Sequence, residues 1–307
     1  MQPLTISTEI IQALKMTHSP RVLVIGATGY LGLHIIRQLQ KNNFYFKALA
    51  RNRNKLLDIG VSESQIIECQ VTDPKALESI CEGIDIVISC LGITRQRDNL
   101  KYMDVDYQAN LNVLIQAEHS AVSKFIYISA FNAEKYNKVR MLYAKEKFAR
   151  RLLRSVKLTP CVIRPNGFFS DLEEIYHMAT KGKVYLFGTK PINLNPIHGE
   201  DLALFCLKAI HHKERELDVG GPETLSTQQL AQLAFHAQYK KVTIITVPDV
   251  IRRMALWVMN KLPEKWGGPA EFFLTAMGND STAPKYGQHK IENYYNDMFV
   301  KQNDSSS

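Results

Sequence analysis

The segment MLYAKEKFARRLL, residues 141–153, places Tyr143 and Lys147 four positions apart. On a helix that spacing stacks the two side chains on one face, one turn apart. A cation in that position stabilises a phenolate and draws a tyrosine from about 10 toward working pH, which makes an acid/base. The same spacing recurs at Tyr286 and Lys290, so spacing by itself leaves a plain helical face open. Position separates the two pairs. Tyr143 follows the apolar run KFIYIS, which ends at Ser129, and precedes TPCVIRP, which ends at Pro165.

A second chemical feature lies upstream, in VIGATGYLG. Gly26, Gly29 and Gly32 come directly after a strand pattern and open a helix pattern. The first glycine permits a tight turn, the second lets the backbone approach a pyrophosphate, and the third allows close helix–strand packing. Thr28, Tyr30 and Leu31 belong to the same turn and are cofactor contacts with it. A dinucleotide site of this kind usually carries an acid at the end of the second strand, for the ribose 2′-hydroxyl. This chain instead reads ALARNRNK, with Arg51 and Arg53. Guanidinium forks match a phosphate, so the expected cofactor is NADP(H) rather than NAD. Val71 and Thr72, after the third strand, should flank the adenine. Leu91 and Gly92, in SCLG, should pass under the cofactor ribose.

These residues need a scaffold, and the pattern around them supplies one. From Arg21, the runs RVLVIG, FYFKALA, QIIECQV, DIVISCLG, KFIYIS and TPCVIRP alternate with helical stretches after Gly29 and around 74–82, 104–119 and 138–155. Apolar strands alternating with helices imply an α/β fold, a doubly wound parallel sheet of Rossmann type. After Pro165 the pattern loosens into a smaller, mixed α/β C-terminal lobe. Within it, Ser226 and Gln229 stand at capping-box spacing. The expected organisation is an N-terminal extension over 1–20, a dinucleotide-binding core over 21–165, a substrate lobe over 166–300 with excursions from the core, and a polar tail over 301–307.

Bulk properties narrow the function further. Hydrophobic residues make up 45% and charged residues 22%, as in ordinary globular chains. The five cysteines show no C-x-x-C and no metal-type cluster, so reduced thiols in a reducing compartment, the cytoplasm, are expected. The N-terminus lacks a basic start and a sustained apolar run, and no stretch of 18 uninterrupted apolar residues occurs, so neither a signal peptide nor a membrane span is expected. The net charge of +8 is concentrated in residues 135–154, which hold eight basic side chains against Glu146 alone. No interleaved aromatics or nucleic-acid motifs accompany them, so a phosphate-bearing small ligand explains the charge with fewer assumptions. In DVIRRMALWVMNKLPEKW, Val250, Ile251, Met254, Val258 and Leu262 share a helical face. Packing on the core is the default reading; a lid or an interfacial membrane helix are the alternatives.

The motifs GATGYLG, SCLG, VDYQANLNVLIQA, FIYISAF, YAKEK, IRPNGFFSDL, NPIHGEDLA and VGGPETLS arrive in an order that resembles the short-chain dehydrogenase/reductase superfamily, in its atypical, epimerase-like branch. The resemblance spans roughly residues 20–300 and implies NADP. It implies that Tyr143 is the acid/base, that Lys147 lowers its pKa and holds the ribose, and that Ser129 orients the substrate oxygen. Asp106 stands where most of the superfamily has an asparagine relay. Lys145 is an alternative for the lysine position and a cofactor contact. Pro165 is another such contact, with Asn166, Gly167 and Phe168 as a pocket wall beyond it. His198 and Asp201 could face the pocket, although Asp201 better suits a helix start. The implied activity is hydride transfer to a carbonyl or activated double bond of a small molecule, a hydrophobic one under the membrane-surface alternative, or epimerisation or dehydration on the same cofactor. A non-catalytic NADP-binding sensor, assembly factor or regulatory protein is the alternative.

Overall fold

A computed structural model describes residues 19–93 and 100–304. All but the last two residues of the expected N-terminal extension lie outside them, as does the end of the tail. Seven parallel strands form one sheet in the order β3-β2-β1-β4-β5-β6-β9. They are β1 (Val22–Ile25), β2 (Phe46–Ala50), β3 (Ile66–Glu68), β4 (Ile86–Ser89), β5 (Lys124–Ile128), β6 (Thr159–Pro165) and β9 (Glu216–Val219). The order reverses between β1 and β4, where Ile25 pairs with Ser89. Their carboxyl ends open the crevice in which such sheets bind ligands.

Alternation along each strand loads both faces. Val22 and Val24 join the core on one side, Leu23 and Ile25 the core on the other. The first side is covered by α1 (Tyr30–Lys41) and α5 (Gly199–Ala209), through Ile35, Ile36, Leu202 and Cys206. The second is covered by α2 (Asn110–Glu118) and α3 (Arg140–Leu153), through Val113, Leu114, Phe148 and Leu152. A third core, built on Phe169, Tyr176, Leu230, Phe235 and Tyr295, joins α4 (Glu173–Thr180), α6 (Thr227–His236) and α9 (Ile291–Asp304). Two small sheets complete this lobe: β7 (Val184–Phe187) with β11 (Ile244–Val247), and β8 (Asn193–Leu194) with β10 (Leu225–Ser226). The Ser226–Gln229 capping box forms as expected.

Four local expectations differ from the structure. Around 74–82 there is a single 3-10 turn, Lys75–Leu77, because Pro74 starts it and Ser79 takes a positive φ of 65°. The helix expected over 104–119 begins as a π-helix, Met103–Ala109, before α2. The tail is helical to Asp304 within α9. The helix α7 (Asp249–Met259) does not pack its apolar face on the core. Val250, Ile251, Met254 and Val258 are exposed, and Arg252 is the residue turned inward.

Candidate functional site: a glycine turn and a buried lysine–aspartate pair

Gly26 has a φ of 79°, in the left-handed region, and a methyl on it would lie 3.0 Å from the Leu91 backbone N. A methyl on Gly32 would lie 2.2 Å from the Gly26 carbonyl oxygen, so only glycine lets α1 close on the turn. Gly29 is the N-cap of α1 and no acid occupies its first turn. The helix N-terminus therefore presents free N–H groups and a positive end, the arrangement that receives phosphates. Thr28 is half-buried in this turn. Leu31 is buried in the core, so its contribution to the turn is its backbone. The Tyr30 side chain turns away toward the lobe. Its hydroxyl accepts the Gly199 N–H at 3.1 Å, its ring meets His34 and Phe168 edge-on, and burial pushes its pKa up to about 12.

The residues expected to make the outer cofactor contacts lie at or just beyond the ends of β2, β3 and β6. Arg51 is exposed immediately beyond β2. Arg53 lies two residues further on, with Nε 3.7 Å from Glu68 Oε2 across a pair that is half exposed on both sides. Val71 is buried and Thr72 half-buried beside it. The Val71 carbonyl accepts from Asn112 Nδ2. Pro165 ends β6 buried, and its carbonyl accepts the Phe131 N–H at 3.0 Å, tying the end of β6 to the loop after β5. Asn166 is held by Asn195 and Ser281, a lock between the sheet and the lobe.

The centre of the site is made by Asp106 and Lys145. Lys145 Nζ stands 3.0 Å from Asp106 Oδ1, with side-chain exposures of 14% and 0%. Asp106 Oδ2 accepts the Ile93 N–H at 3.1 Å. Burial pushes the Asp106 carboxyl above its usual range, against the pull of Lys145 and of that N–H. Burial also opposes charge on Lys145, but the neighbouring Tyr127 and the facing Asp106 together outweigh it and hold the ammonium above the usual lysine value. Gly92 closes on this pair: a methyl there would lie 2.6 Å from Asp106 Oδ1 and 2.8 Å from Lys145 Nζ. Asn110 sets the loop that carries Gly92. It accepts from the Ser89 hydroxyl at 2.6 Å and donates to the Leu91, Val105 and Asp106 carbonyls. Sequence reading missed it, although a buried asparagine inside an apolar helix was a visible signal.

Tyr143 and Lys147 do share one face of α3, and it is the outer face. Both are exposed, Tyr143 by 47%, and Lys147 Nζ lies 4.6 Å over the Tyr107 ring. Two residues along a helix turn about 200°, so the face that carries Lys145 is opposite to theirs. Met141 stands one turn before Lys145. It packs against the small buried cluster of Ala133, Val139 and Leu142, as do Ala130, Tyr136 and Phe272. The structure thus brings Asp106, Lys145, Gly92 and the glycine turn together and leaves Tyr143 and Lys147 outside the group. Ser129 is 4% exposed, and its hydroxyl finds no partner among the described residues.

Half of the basic stretch, Lys145 included, is paired with acids of the fold. Arg140 pairs with Glu271, Arg151 with Glu118, and Arg150 with Glu146, which also takes Arg164. Near α5, the chain gathers histidines that lie far apart in sequence. His198 Nδ1 accepts the Glu200 N–H as a helix cap, and His289 Nδ1 bonds Asp201. Asp201 is buried and also accepts the Gln288 and His289 N–H groups, so it anchors the C-terminal segment. His198, Glu200 and His289 place one ligand-type atom each within 4.8 Å of one another. The cap on His198 and the bond on His289 commit one nitrogen of each ring to the fold. No helix among the described residues is long and apolar enough to cross a membrane.

A family described as NAD(P)H-binding matches residues 26–213, from the glycine turn to just past α5. The chain belongs to that NAD(P)H-binding family. The resemblance to atypical short-chain dehydrogenase/reductases is borne out with it, as is the Rossmann fold. The chain is 26% identical to a maize (Zea mays) chloroplastic divinyl chlorophyllide a 8-vinyl-reductase, over 89% of its own length and 78% of the relative's. It is 24% identical to the photosystem II assembly factor Ycf39 of Synechocystis, over 76% and 72%. Among solved structures, an NADPH-dependent quinone oxidoreductase of Escherichia coli, complexed with NADPH, superposes with a TM-score of 0.65 at 16% identity. That match covers 91% of this chain and 99% of the other. At that identity the likeness concerns the fold.

Proposed function

We propose that the protein is an NADP(H)-dependent reductase that acts on an activated carbon–carbon double bond of a small, apolar molecule. The observation that carries this reading is the buried Lys145–Asp106 pair beside Gly92, with Met141 one turn before it where a tyrosine would be needed. Hydride addition to a carbonyl leaves an alkoxide, whose protonation calls for an acid of tuned pKa such as a tyrosine beside a lysine. Hydride addition to an activated alkene leaves a delocalised carbanion, which water can protonate. A site with Lys145 and no phenol on its helix face suits the second case.

The residues fit the cofactor. The turn at Gly26, Gly29 and Gly32 would receive the pyrophosphate at the start of α1. Lys145, fixed in direction by Asp106, would hold the nicotinamide ribose under the cover of Gly92. Bound NADPH would supply the hydride. Arg51 and Arg53, with no acid at the end of β2, support NADP over NAD. The vinyl-reductase relatives support reduction of a double bond. Five free thiols, three of them buried, suit a reducing compartment, whether the cytoplasm or the plastid in which the named chloroplastic relatives reside.

The incomplete phenol–lysine pair also favours a second reading, a non-catalytic NADP-binding assembly factor of the kind that the Synechocystis relative is named for. Calorimetric titration with NADPH and NADH, followed by NADPH oxidation at 340 nm with vinyl, enone and quinone acceptors, separates the two. Tighter NADPH binding with turnover of an acceptor is the expected result. Tight NADPH binding with no acceptor reduced, in single turnover as well, would replace the first reading with the second.

A further inference from the structure

The helix α7 is turned inside out. Its inward position is occupied by Arg252, which is 8% exposed and donates to Asp249 Oδ1 at 2.6 Å and to the Leu274 carbonyl at 2.8 Å. Val250, Ile251, Met254, Trp257 and Val258 face solvent instead. The patch continues onto the start of α8 (Glu264–Ala276) with Trp266. Met254, Trp257 and Trp266 are 65%, 66% and 71% exposed, and the two are the only tryptophans in the chain. A patch of this kind on a soluble surface marks an interaction site.

Charge identifies what covers it. The exposed cations Arg253, Lys261 and Lys265 surround the apolar face. The two acids in the same stretch are both engaged: Asp249, with its side chain 43% exposed, pairs with Arg252, and Glu264 Oε1 accepts the Tyr102 N–H. The surface therefore combines an apolar centre, two tryptophans and a rim in which exposed cations predominate, its part-exposed carboxylate Asp249 being already paired with Arg252. Tryptophan favours the boundary between headgroups and acyl chains, and lysine and arginine favour anionic headgroups. Eleven residues of helix span about 16 Å, too short to cross a bilayer and suited to lying in its surface. A two-fold pairing of this face with a second copy would bring its cations against one another.

We propose that α7 and the start of α8 form an interfacial docking surface for an anionic lipid bilayer. The hairpin is fastened to α3: Arg140 donates to the Met259 and Leu262 carbonyls and to Glu271. Docking thereby holds the helix that carries Lys145 next to the membrane surface. The proposal stands apart from the reaction proposed above and needs neither cofactor nor turnover.

Both tryptophans lie in the surface, so their emission reports it without background from the rest of the chain. The full chain is titrated with vesicles of phosphatidylcholine and phosphatidylglycerol, and with phosphatidylcholine alone, and the bound fraction is read by sedimentation. The expected result is a blue shift and co-sedimentation with the anionic vesicles, weakened by salt and by omission of phosphatidylglycerol. The double variant Met254→Ser/Trp257→Ser should bind about tenfold more weakly or worse. Its side chains are exposed, so its thermal unfolding should match the unmodified chain. An unshifted emission and a protein left in the supernatant would overturn the proposal. So would equal binding by the double variant. Emission that is already blue without vesicles, with a dimer mass in analytical ultracentrifugation, would assign the surface to a second copy instead.

Discussion

Replacing Lys145 with Met, and separately Lys147 with Met, separates the two lysines on grounds of geometry. Lys145→Met leaves the Asp106 carboxylate, whose side chain is 0% exposed, without the cation 3.0 Å away. Breaking a buried pair from one side costs about 3–5 kcal/mol when the remaining charge stays ionised. Asp106 can instead take up a proton, and burial already pushes its pKa up. In the variant its folded pKa rises further above the unfolded value of about 3.9. A raised acid pKa contributes stability at low pH that is lost as pH rises through it. The loss in urea unfolding should therefore be larger at pH 8 than at pH 5. Lys147→Met removes an exposed ammonium over Tyr107, worth about 0.5–1 kcal/mol, with no such pH dependence. Calorimetry should find NADPH binding lost in Lys145→Met and retained in Lys147→Met. The double variant Asp106→Asn/Lys145→Met should recover most of the stability and none of the cofactor affinity. If Lys147→Met loses NADPH while Lys145→Met keeps it, the assignment of the pair is wrong.

Other outcomes follow from the same geometry. Tyr143→Phe should change neither NADPH affinity nor turnover by more than about twofold, because the hydroxyl is on the exposed face; a loss of a hundredfold or more would restore it to the chemistry. Gly92→Ala should displace Lys145 or Asp106, cost about 1–3 kcal/mol in urea unfolding and weaken NADPH binding in calorimetry. Arg51→Ala/Arg53→Ala should lower the preference for NADPH over NADH by about ten- to a hundredfold, read from the two dissociation constants. Burial, then His198, lowers the His34 pKa to about 4. Between pH 6.5 and 4 the unfolded chain binds this proton and the folded one does not, so stability falls as pH drops through that window. Asp171, raised to about 6 by burial, contributes with the opposite sign. Subtracting the urea-unfolding profile of His34→Gln isolates the histidine, and the difference should correspond to about one proton.

The parts of this protein that sequence reveals are those where local chemistry and fold agree. The glycine turn is one, because Gly26 and Gly32 answer constraints set within a few residues. The succession of β1 to β6 is another, since each strand is a predominantly apolar run. β9 was hidden because its sequence, ELDV, alternates charge and lies at the sheet edge. The orientation of α3 depended on a two-residue register that the helical period cannot supply: Lys145 and Lys147 are equally good lysines until Asp106 is placed. Asp106 itself lies in a π-helix, whose wider turn departs from the 3.6-residue pattern. In α7 the amphipathic pattern was read correctly and its direction was not. Periodicity defines two faces of a helix and leaves open which one meets the core.

The most direct test is a crystal structure with NADPH bound, read at the nicotinamide ribose. The account expects Lys145 Nζ within hydrogen-bonding distance of the ribose hydroxyls, still paired with Asp106. Met141 should then lie on the nicotinamide side of α3, with Tyr143 in solvent. A Tyr143 hydroxyl facing the nicotinamide C4, with Lys147 on the ribose, would contradict it.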